Sequence, residues 1–417
     1  MHVGGAGLGT RMRRLAFLLV AALLAAACGA NGGDGGGTEE VDEVRLVAVV
    51  PLSGLFAKSG QLVRAGAELA IDEINEQGGI ESLGGARLVL NVHDTGEEVE
   101  TAVSAATRAL TEGEKPSGGI GSYLSSFTLG TTEVAQRQQV PWMTLSFADE
   151  ITERGFDYVY QTSAVSSEQA TVGLQHFGDL LKSQGETIDK VALVGDNTAA
   201  AVAFFEPISQ GLAEQFGWEV VVNETWEPPL SDATPIARRL RSDQPDAIFY
   251  VATNFSDSTQ VLRANEQFGV ELPYLASGSW IITPEYLEGV GEEQVDGIMT
   301  IVGSHPPGGQ EELVERFEAM SGEPFMIQDS VSAYAHVWIF KEALERAGSA
   351  DPSAVNEALK ELELTEGPAV EVLPPEEITF EENGRLAGAI PVIVQWQDGQ
   401  PVTIYPPEIA AAEPRLP

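Results

Sequence analysis

Apolar runs typical of buried strands alternate with helical apolar spacings along most of the chain. Residues 44–50 form a nearly continuous β-branched run, which is typical of a strand covered on both faces. From residue 61 to 77 the apolar positions Val63, Ala67 and Ala70 recur at helical spacing, with acidic residues largely elsewhere on the surface. This pattern predicts a strand followed by an amphipathic helix.

The same alternation continues and then begins a second time. A strand at 87–92 and a helix at 99–110 complete the first unit, and a buried strand at 190–196 opens another. Repeated βαβ alternation implies parallel sheets with helices on both faces. The sequence therefore predicts an α/β fold with two lobes and a cleft between the carboxyl ends of their strands. The later predicted elements are helices at 199–215, 234–242 and 259–268 and strands at 218–223 and 247–252.

The stretches 118–130 and 140–152 read as two short strands, each followed by a polar loop. Ser122, Ser125 and Ser126 stand where N-cap residues belong, ahead of a helix at about 127–139. Backbone N–H groups at a helix start are unsatisfied and attract an anion or a carbonyl oxygen. Loops at the carboxyl ends of neighbouring parallel strands form ligand crevices. The alternative is ordinary loop chemistry without a ligand.

The N-terminal segment has the features of an export signal. Three arginines precede the uncharged apolar run 15–27, which is too short for a membrane span and has signal-peptide proportions. Cys28 follows small residues, as in the lipobox of bacterial lipoproteins, although Ala25 stands where leucine is usual. We expect a signal peptide (1–27) and a lipidated Cys28 that begins a flexible tether (28–43). Plain secretion with a free thiol is the alternative.

The chain is strongly acidic. It has 63 Asp and Glu against 23 Lys and Arg, a formal net charge of −40. Nucleic acid is therefore not an expected partner, because neutralising phosphates requires a basic surface. The acids are spread along the predicted helices, which indicates a solvated acidic surface rather than an interaction tail.

The common catalytic signatures are missing from the sequence. It has no Gly-x-Ser-x-Gly elbow and no Walker phosphate loop, and its five histidines show no His-Glu-x-x-His spacing. The pair His93-Asp94 follows a strand, where an aspartate more often caps the next helix. We expect no enzyme, no catalytic residue, no metal site and no cofactor.

Several ordered motifs together resemble one family. Val47-Ala-Val-Val-Pro-Leu-Ser-Gly54 and the stretch 65–80 open the body, followed by the loop 121–126 and the stretch 149–160. Ser332-Ala-Tyr-Ala-His-Val and Thr379-Phe-Glu-Glu-Asn-Gly384 come later. From about residue 44 to 405 the chain resembles the type I periplasmic binding proteins, in the leucine/isoleucine/valine-binding branch that serves ABC transporters.

The resemblance implies two Rossmann-like lobes joined by a hinge of three chain crossings, near residues 162–166, 301–304 and 389. The N-terminal lobe is expected to contain 44–165 and 304–389. The C-terminal lobe is expected to contain 166–303 and 390–408, followed by a tail at 409–417. A ligand between the lobes is enclosed when they close about the hinge.

The resemblance also carries expectations for the ligand site. The serine that meets a ligand carboxylate in amino-acid binders corresponds to Ser125. The acid that meets the ammonium group is replaced by Ser279, a threonine of the loop 146–149 is missing, and Ala200 replaces a tyrosine. Asp329 is an alternative acid from the first lobe. The predicted ligand-binding residues are Phe56, Ser59, Tyr123, Ser125, Ser126, Ser146, Phe147, Ala148, Asn197, Asn254, Phe255, Ser279 and Trp280.

These departures predict the kind of ligand. A buried ammonium group without a counter-charge is costly, so we expect an anionic or neutral polar molecule such as a carboxylate, an aromatic acid or an amide. The expected function is a monomeric lipoprotein outside the cytoplasm that delivers this small molecule to the permease subunits of an ABC importer. The alternative is a binding protein that signals to a membrane receptor or kinase.

Overall fold

The computed structural model describes residues 41–185 and 187–415. The predicted signal peptide, Cys28 and nearly all of the predicted tether lie outside these residues. Within the part of the chain that the structure describes, every helix is too short or too polar to serve as a membrane span.

The first described sheet has five parallel strands in the order β2-β1-β3-β4-β5. β1 lies between β2 and β3, so the carboxyl ends of β1 and β3 meet where the strand order reverses. Such a switch point is the usual ligand crevice of an open α/β sheet. The strands are β1 (Glu43–Val50), β2 (Arg87–Asp94), β3 (Gly118–Gly121), β4 (Trp142–Thr144) and β5 (Val159–Gln161).

The second described sheet has seven strands in the order β12-β11-β10-β9-β8-β6-β7. The five strands from β6 to β10 are parallel, and β11 and β12 add an antiparallel hairpin at one edge. Its strands are β6 (Lys190–Asp196), β7 (Glu219–Trp226), β8 (Ala247–Val251), β9 (Tyr274–Ser277), β10 (Met299–Val302), β11 (Val392–Gln397) and β12 (Gln400–Tyr405).

Helices follow most of the parallel strands, as the sequence alternation predicts. Those of the first sheet are α1 (Ala57–Glu76), α2 (Val99–Thr111), α3 (Ser125–Gln138) and α4 (Glu150–Glu153). The helices between β5 and β10 are α5 (Ser166–Glu168), α6 (Leu174–Gln184), α7 (Ala199–Pro207), α8 (Ala213–Gln215), α9 (Thr234–Asp243), α10 (Phe255–Phe268), α11 (Pro284–Val290) and α12 (Glu292–Val295). The later ones are α13 (Glu311–Ser321), α14 (Gln328–Ala347), α15 (Pro352–Lys360) and α16 (Pro368–Val372).

The chain crosses between the two sheets after β5, after β10 and before β11. After β10 it returns to the first sheet, where Phe340 of α14 lies against Gly118 of β3 and Tyr160 of β5 donates a hydrogen bond to Asn356 of α15. Two α/β lobes made of discontinuous chain confirm the predicted fold class. Residues 409–415, expected as a tail, hydrogen-bond back to β11 and β12, for example through Arg415 and Gln395.

The long helix α14 is buried along most of its length and packs against α1. The two backbones approach most closely at Gly66, where an added Cβ would lie 2.0 Å from the carbonyl oxygen of Ser330. Glycine is therefore needed at this contact. The contact fixes the first turn of α14, and that turn reaches the cleft.

Candidate functional site

The two lobes enclose a cavity at the carboxyl ends of their strands. The free space here, including the part open to solvent, is about 570 Å³, within the size range of small-molecule sites. Its walls combine a few hydroxyl groups with an apolar surface. It is lined by Tyr123, Leu124, Ser125, Ser126, Leu145, Ser146 and Phe147 from the first lobe, by Thr198, Ala200, Val251, Thr253, Ser277, Gly278, Ser279 and Trp280 from the second, and by Gln328.

The first turn of α3 faces this cavity without a side-chain cap. The expectation that Ser122, Ser125 and Ser126 are N-caps is wrong, because Leu124 holds the N-cap position and Ser125 and Ser126 are already helical. The Ser125 hydroxyl instead accepts a hydrogen bond from the backbone N–H of Ala148, at 3.1 Å. The first-turn N–H groups of α3 therefore point to the cavity as donors for an anion or a carbonyl oxygen.

Ser146 lies on the cavity wall, but its hydroxyl group is hydrogen-bonded within the protein. Its hydroxyl donates to the carbonyl oxygen of Tyr123 at 2.8 Å and is hydrogen-bonded to Thr128 at 2.7 Å and Thr144 at 3.0 Å. These bonds fix the loop after β4 against the start of α3. Ser146 thus shapes the site and has little hydrogen-bonding capacity left for a ligand.

On the opposite wall, Asp196 joins two loops of the second lobe. The buried carboxylate accepts hydrogen bonds from the backbone N–H and the hydroxyl of Thr198, and likewise from both groups of Thr253. Burial raises the pKa of Asp196, and these hydrogen bonds oppose the rise. Thr198 and Thr253 line the cavity and were missed from the sequence, although an aspartate at the end of β6 was a usable signal.

A smaller space of about 250 Å³ adjoins the cavity on its outer side. Asn254 borders it, but its side-chain oxygen caps α10 by accepting from the N–H of Asp257 at 2.9 Å. Lys58 also borders it and is ion-paired with Glu323 at 2.6 Å. The outer space is lined by Leu55, Phe56, Lys58, Ser59, Thr253, Asn254, Phe255, Trp280, Thr283 and Glu285.

Trp280 lines both spaces and also belongs to the hydrophobic core. Its side chain is 4% exposed, and its indole N–H donates to the carbonyl oxygen of Ser277 at 3.2 Å. It packs edge-on against Tyr250 and Tyr286. The same side chain therefore packs in the core and forms part of the cavity wall.

A buried acid stands between the lobes. Asp329, in the first turn of α14, is fully buried and accepts a hydrogen bond from the hydroxyl of Ser279 in the other lobe. Burial raises the pKa of Asp329 to about 7, against the opposing effect of the nearby Ser279 and Ser59 hydroxyls. Burial also raises the pKa of Tyr123, and the negative charge of Asp329 adds to that rise. The loop of Ser279 is therefore hydrogen-bonded to an acid of the first lobe.

Most of the predicted ligand-binding residues come together at the two adjoining spaces. Ala148 and Asn197 line neither of them. The backbone N–H of Ala148 donates to the hydroxyl of Ser125, and Asn197 lies between Asp196 and Thr198, which are hydrogen-bonded to each other. No group of three or more metal-ligating side chains is found among the described residues. Seven predicted residues line the inner cavity, namely Tyr123, Ser125, Ser126, Ser146, Phe147, Ser279 and Trp280, and Phe56, Ser59, Asn254 and Phe255 line the outer space.

Two α/β lobes that enclose a small polar-and-apolar cavity define a ligand-capturing protein of the two-lobed periplasmic type. A family model described as "Periplasmic binding protein" matches residues 43–400. The chain belongs to this family, whose members are substrate-binding components of ABC transporters and not enzymes. The resemblance inferred from the motifs is confirmed, and the chain acts outside the cytoplasm, as its family does.

Comparisons with individual proteins give the same fold and different ligands. The chain is 25% identical over 417 residues to the Leu/Ile/Val-binding protein homolog 7 of Brucella suis, covering 97% of this chain and 99% of that protein. The isoleucine complex of the substrate-binding protein LivJ from Streptococcus pneumoniae superposes with a TM-score of 0.73 at 20% identity, over 87% of this chain and 99% of that one. A solute-binding protein from R. palustris in complex with benzoate gives 0.70 at 17% identity, over 89% and 99%.

Proposed function

We propose that this protein captures a small carboxylate-bearing molecule with an apolar body and delivers it to the permease of an ABC importer. The observation that carries the proposal is the uncapped first turn of α3, which faces the cavity beside the hydroxyl of Ser125. Backbone N–H groups at a helix start supply fixed partial positive charge, so a carboxylate is held there without a basic side chain.

The walls of the cavity support the same class of ligand. Leu145, Val251 and Trp280 offer apolar surface on both lobes, and every lining residue of the inner cavity is uncharged. Apolar walls with a few directed polar groups are the usual composition of a small-molecule site. Because the lining comes from both lobes, a ligand stabilises the closed arrangement by contacting both at once.

A thermal-shift screen of the mature protein tests the ligand class. The set contains branched and aromatic amino acids, aliphatic carboxylates, aromatic acids and amides. A ligand that binds only the folded protein raises the melting temperature by mass action. We expect shifts from molecules that carry a carboxylate, and about a tenfold loss of affinity in Ser125→Ala because one donor is removed.

Ser104→Ala is the matched control, since Ser104 is exposed on α2 and bonds only within that helix. Its affinity for the ligand should equal that of the unchanged protein. If only molecules without a carboxylate bind, or if the Ser125 and Ser104 variants behave alike, the proposed helix-start site is wrong.

Delivery and anchoring belong to the same proposal. The predicted signal peptide, Cys28 and tether place a monomeric receptor on the outer face of the membrane, close to a permease. Deleting the gene from the parent cell should abolish uptake of the identified ligand. Cys28→Ala should release the exported protein from the membrane fraction, and a protein that stays membrane-bound would contradict the lipid anchor.

A further inference from the structure

A buried amide group with an unsatisfied nitrogen lines the outer space. The side chain of Asn254 is 2% exposed, and its oxygen accepts from the backbone N–H of Asp257 at 2.9 Å. This bond identifies the oxygen of the amide, because a backbone N–H requires an acceptor. The amide nitrogen has no hydrogen-bond partner among the described residues. A buried donor of this kind is costly in free energy unless something accepts from it.

The walls beside this amide come from both lobes. Phe56 of the first lobe and Phe255 of the second line the same space. Each ring is fixed by an edge-on contact, Phe56 with Phe127 and Phe255 with Tyr286. Aromatic walls with a directed polar group are the usual composition of a small-molecule site. The outer space therefore has the composition of a subsite of its own.

The two spaces are adjacent, so that one molecule can occupy both. Thr253 and Trp280 line each of them. Trp280 supplies apolar surface at this junction, and the hydroxyl proton of Thr253 is already donated to the buried Asp196 at 2.8 Å. The junction therefore suits an apolar segment of a ligand.

The charges at the outer space distinguish between possible partners of the free amide nitrogen. Among the described residues that line it, Lys58 is the one cation and Glu285 the one acid. Lys58 is ion-paired with Glu323 at 2.6 Å, so the three groups together carry one negative charge, which disfavours a ligand carboxylate. A ligand ammonium group would lie beside Lys58 and could not accept from the amide. Glu285 is exposed, so that water screens its attraction for a cation.

We propose that the outer space is a second subsite of the ligand site and that it receives a neutral carbonyl group, as in a carboxamide. Asn254 donates to the carbonyl oxygen, and Phe56 and Phe255 flank the group. This inference rests on the proposed function, in which the carboxylate of the same ligand lies at the start of α3. The ligand is then an elongated carboxylate whose far end carries an uncharged hydrogen-bond acceptor.

Four series of straight-chain acids of five to eight carbons test the inference by isothermal titration calorimetry. All carry one carboxylate, and the far end is a methyl group, a carboxamide, a second carboxylate or an ammonium group. At one length or more, the carboxamide should bind at least tenfold more tightly than the methyl-ended acid, because the methyl group leaves the donor of Asn254 buried and unpaired. At that length it should also bind more tightly than the two acids with a charged far end.

Asn254→Asp is the principal variant. Aspartate is as good an N-cap as asparagine, so the variant keeps the bond to Asp257 but has an acceptor in place of the free donor. Its preference for the carboxamide over the methyl-ended acid should fall at least tenfold. Asn254→Ser also keeps a capping oxygen and lacks the nitrogen, and it should lose the preference as well.

Asn223→Asp is the matched control. Asn223 is exposed on β7, the strand at one edge of the second sheet, and lines neither space. The substitution adds the same charge as Asn254→Asp and should leave the preference for the carboxamide unchanged. Ser125→Ala, by contrast, should weaken the binding of all four series alike, because every acid has the same carboxylate.

The outcomes separate the two proposals. Acids that bind equally whatever their far end overturn the inference and leave the carboxylate site intact. Tightest binding of the dicarboxylates or of the ammonium-ended acids also overturns it, because the outer space then selects a charge. Binding of no acid in any series overturns both proposals. If the folded Asn254 variants, checked by circular dichroism, keep the full preference, Asn254 is not the recognising group.

Discussion

At the scale of single residues, the carboxylates of the two lobes have distinct tasks that their sequence positions do not reveal. Asp94, expected to cap the helix after β2, instead accepts hydrogen bonds from Leu52, Ser53 and Gly96 and so fixes the loop after β1. Asp196 is saturated by hydroxyl and backbone donors. Of the three, only Asp329 has a buried carboxylate oxygen without a hydrogen-bond partner among the described residues. The two saturated acids fix loops, and Asp329 joins the two lobes through its hydrogen bond with Ser279.

The raised pKa of Asp329 predicts how the ligand-free protein responds to pH. The group ionises near pH 4 in the unfolded chain and near pH 7 in the folded one, so its contribution to stability declines as pH rises from about 4 to 7. Asp329→Asn removes this decline. Relative to the unchanged protein, the variant should gain free energy of unfolding between pH 4.5 and 7.5, by up to about 4 kcal/mol.

Guanidinium unfolding of both proteins at each pH measures this difference. Carboxylates whose pKa is lowered by hydrogen bonds, such as Asp94 and Glu345, are common to both proteins and cancel. A difference that stays constant across the interval would show that Asp329 is not buried as an ionisable group in the free protein.

At the scale of elements, the pairing of α14 with α1 sets the position of the acid. The two helices approach at Gly66, which has no space for a side chain against the backbone of Ser330. Ser330 follows Asp329 directly, so the contact that stabilises the lobe also places this buried acid and its neighbour Gln328, which lines the cavity. The packing of the two helices is therefore linked to the cavity wall through one turn of helix.

Gly66→Ala tests this link. The added methyl group would force α14 away from α1, and we expect a loss of about 2–3 kcal/mol in the free energy of unfolding together with weaker ligand binding. Urea unfolding and calorimetry measure the two effects. Gly178→Ala on α6 is the matched control, because a Cβ there meets its nearest neighbour, Trp218, at an ordinary 3.8 Å.

The control variant should keep its ligand affinity and be as stable as the unchanged protein or slightly more so, since alanine favours a helix over glycine. Equal behaviour of the two variants would contradict the close approach of α1 and α14.

At the scale of the whole molecule, the acidic excess acts on stability rather than on ligand choice. The net charge of −40 creates repulsion that favours the expanded chain, and the ion pairs of the described surface are largely exposed and individually weak. The cleft is nevertheless lined by uncharged residues in its inner part. The surface charge and the ligand site are thus physically separate features.

Salt should therefore stabilise this protein. Raising NaCl from about 20 mM to 500 mM shortens the screening length severalfold and should increase the free energy of unfolding by on the order of 1 kcal/mol. Thermal unfolding followed by circular dichroism measures the change. Choline chloride at the same ionic strength should act equally, and an effect of sodium alone would indicate specific ion binding instead of screening.

The sequence by itself determined the features that depend on neighbouring residues. Apolar runs and helical spacings are local, so β6 (Lys190–Asp196) was predicted with its observed bounds and most other elements within a few residues. Ordered motifs were enough to identify the family, and loops that follow parallel strands, together with the family resemblance, were enough to locate the cleft and part of its lining, including Ser125 and Ser279.

Only the tertiary structure decided which side chains are free to meet a ligand. Ser146 is hydrogen-bonded to Thr128, Thr144 and Tyr123, and the position of Asp329 depends on a helix, distant in sequence, that packs against α1. No periodicity or motif encodes such contacts, because they join positions distant in sequence and depend on the close approach of two backbones. Asp329 was visible in the sequence as an acid of the first lobe, but its hydrogen bond with Ser279 of the other lobe was fixed by packing alone.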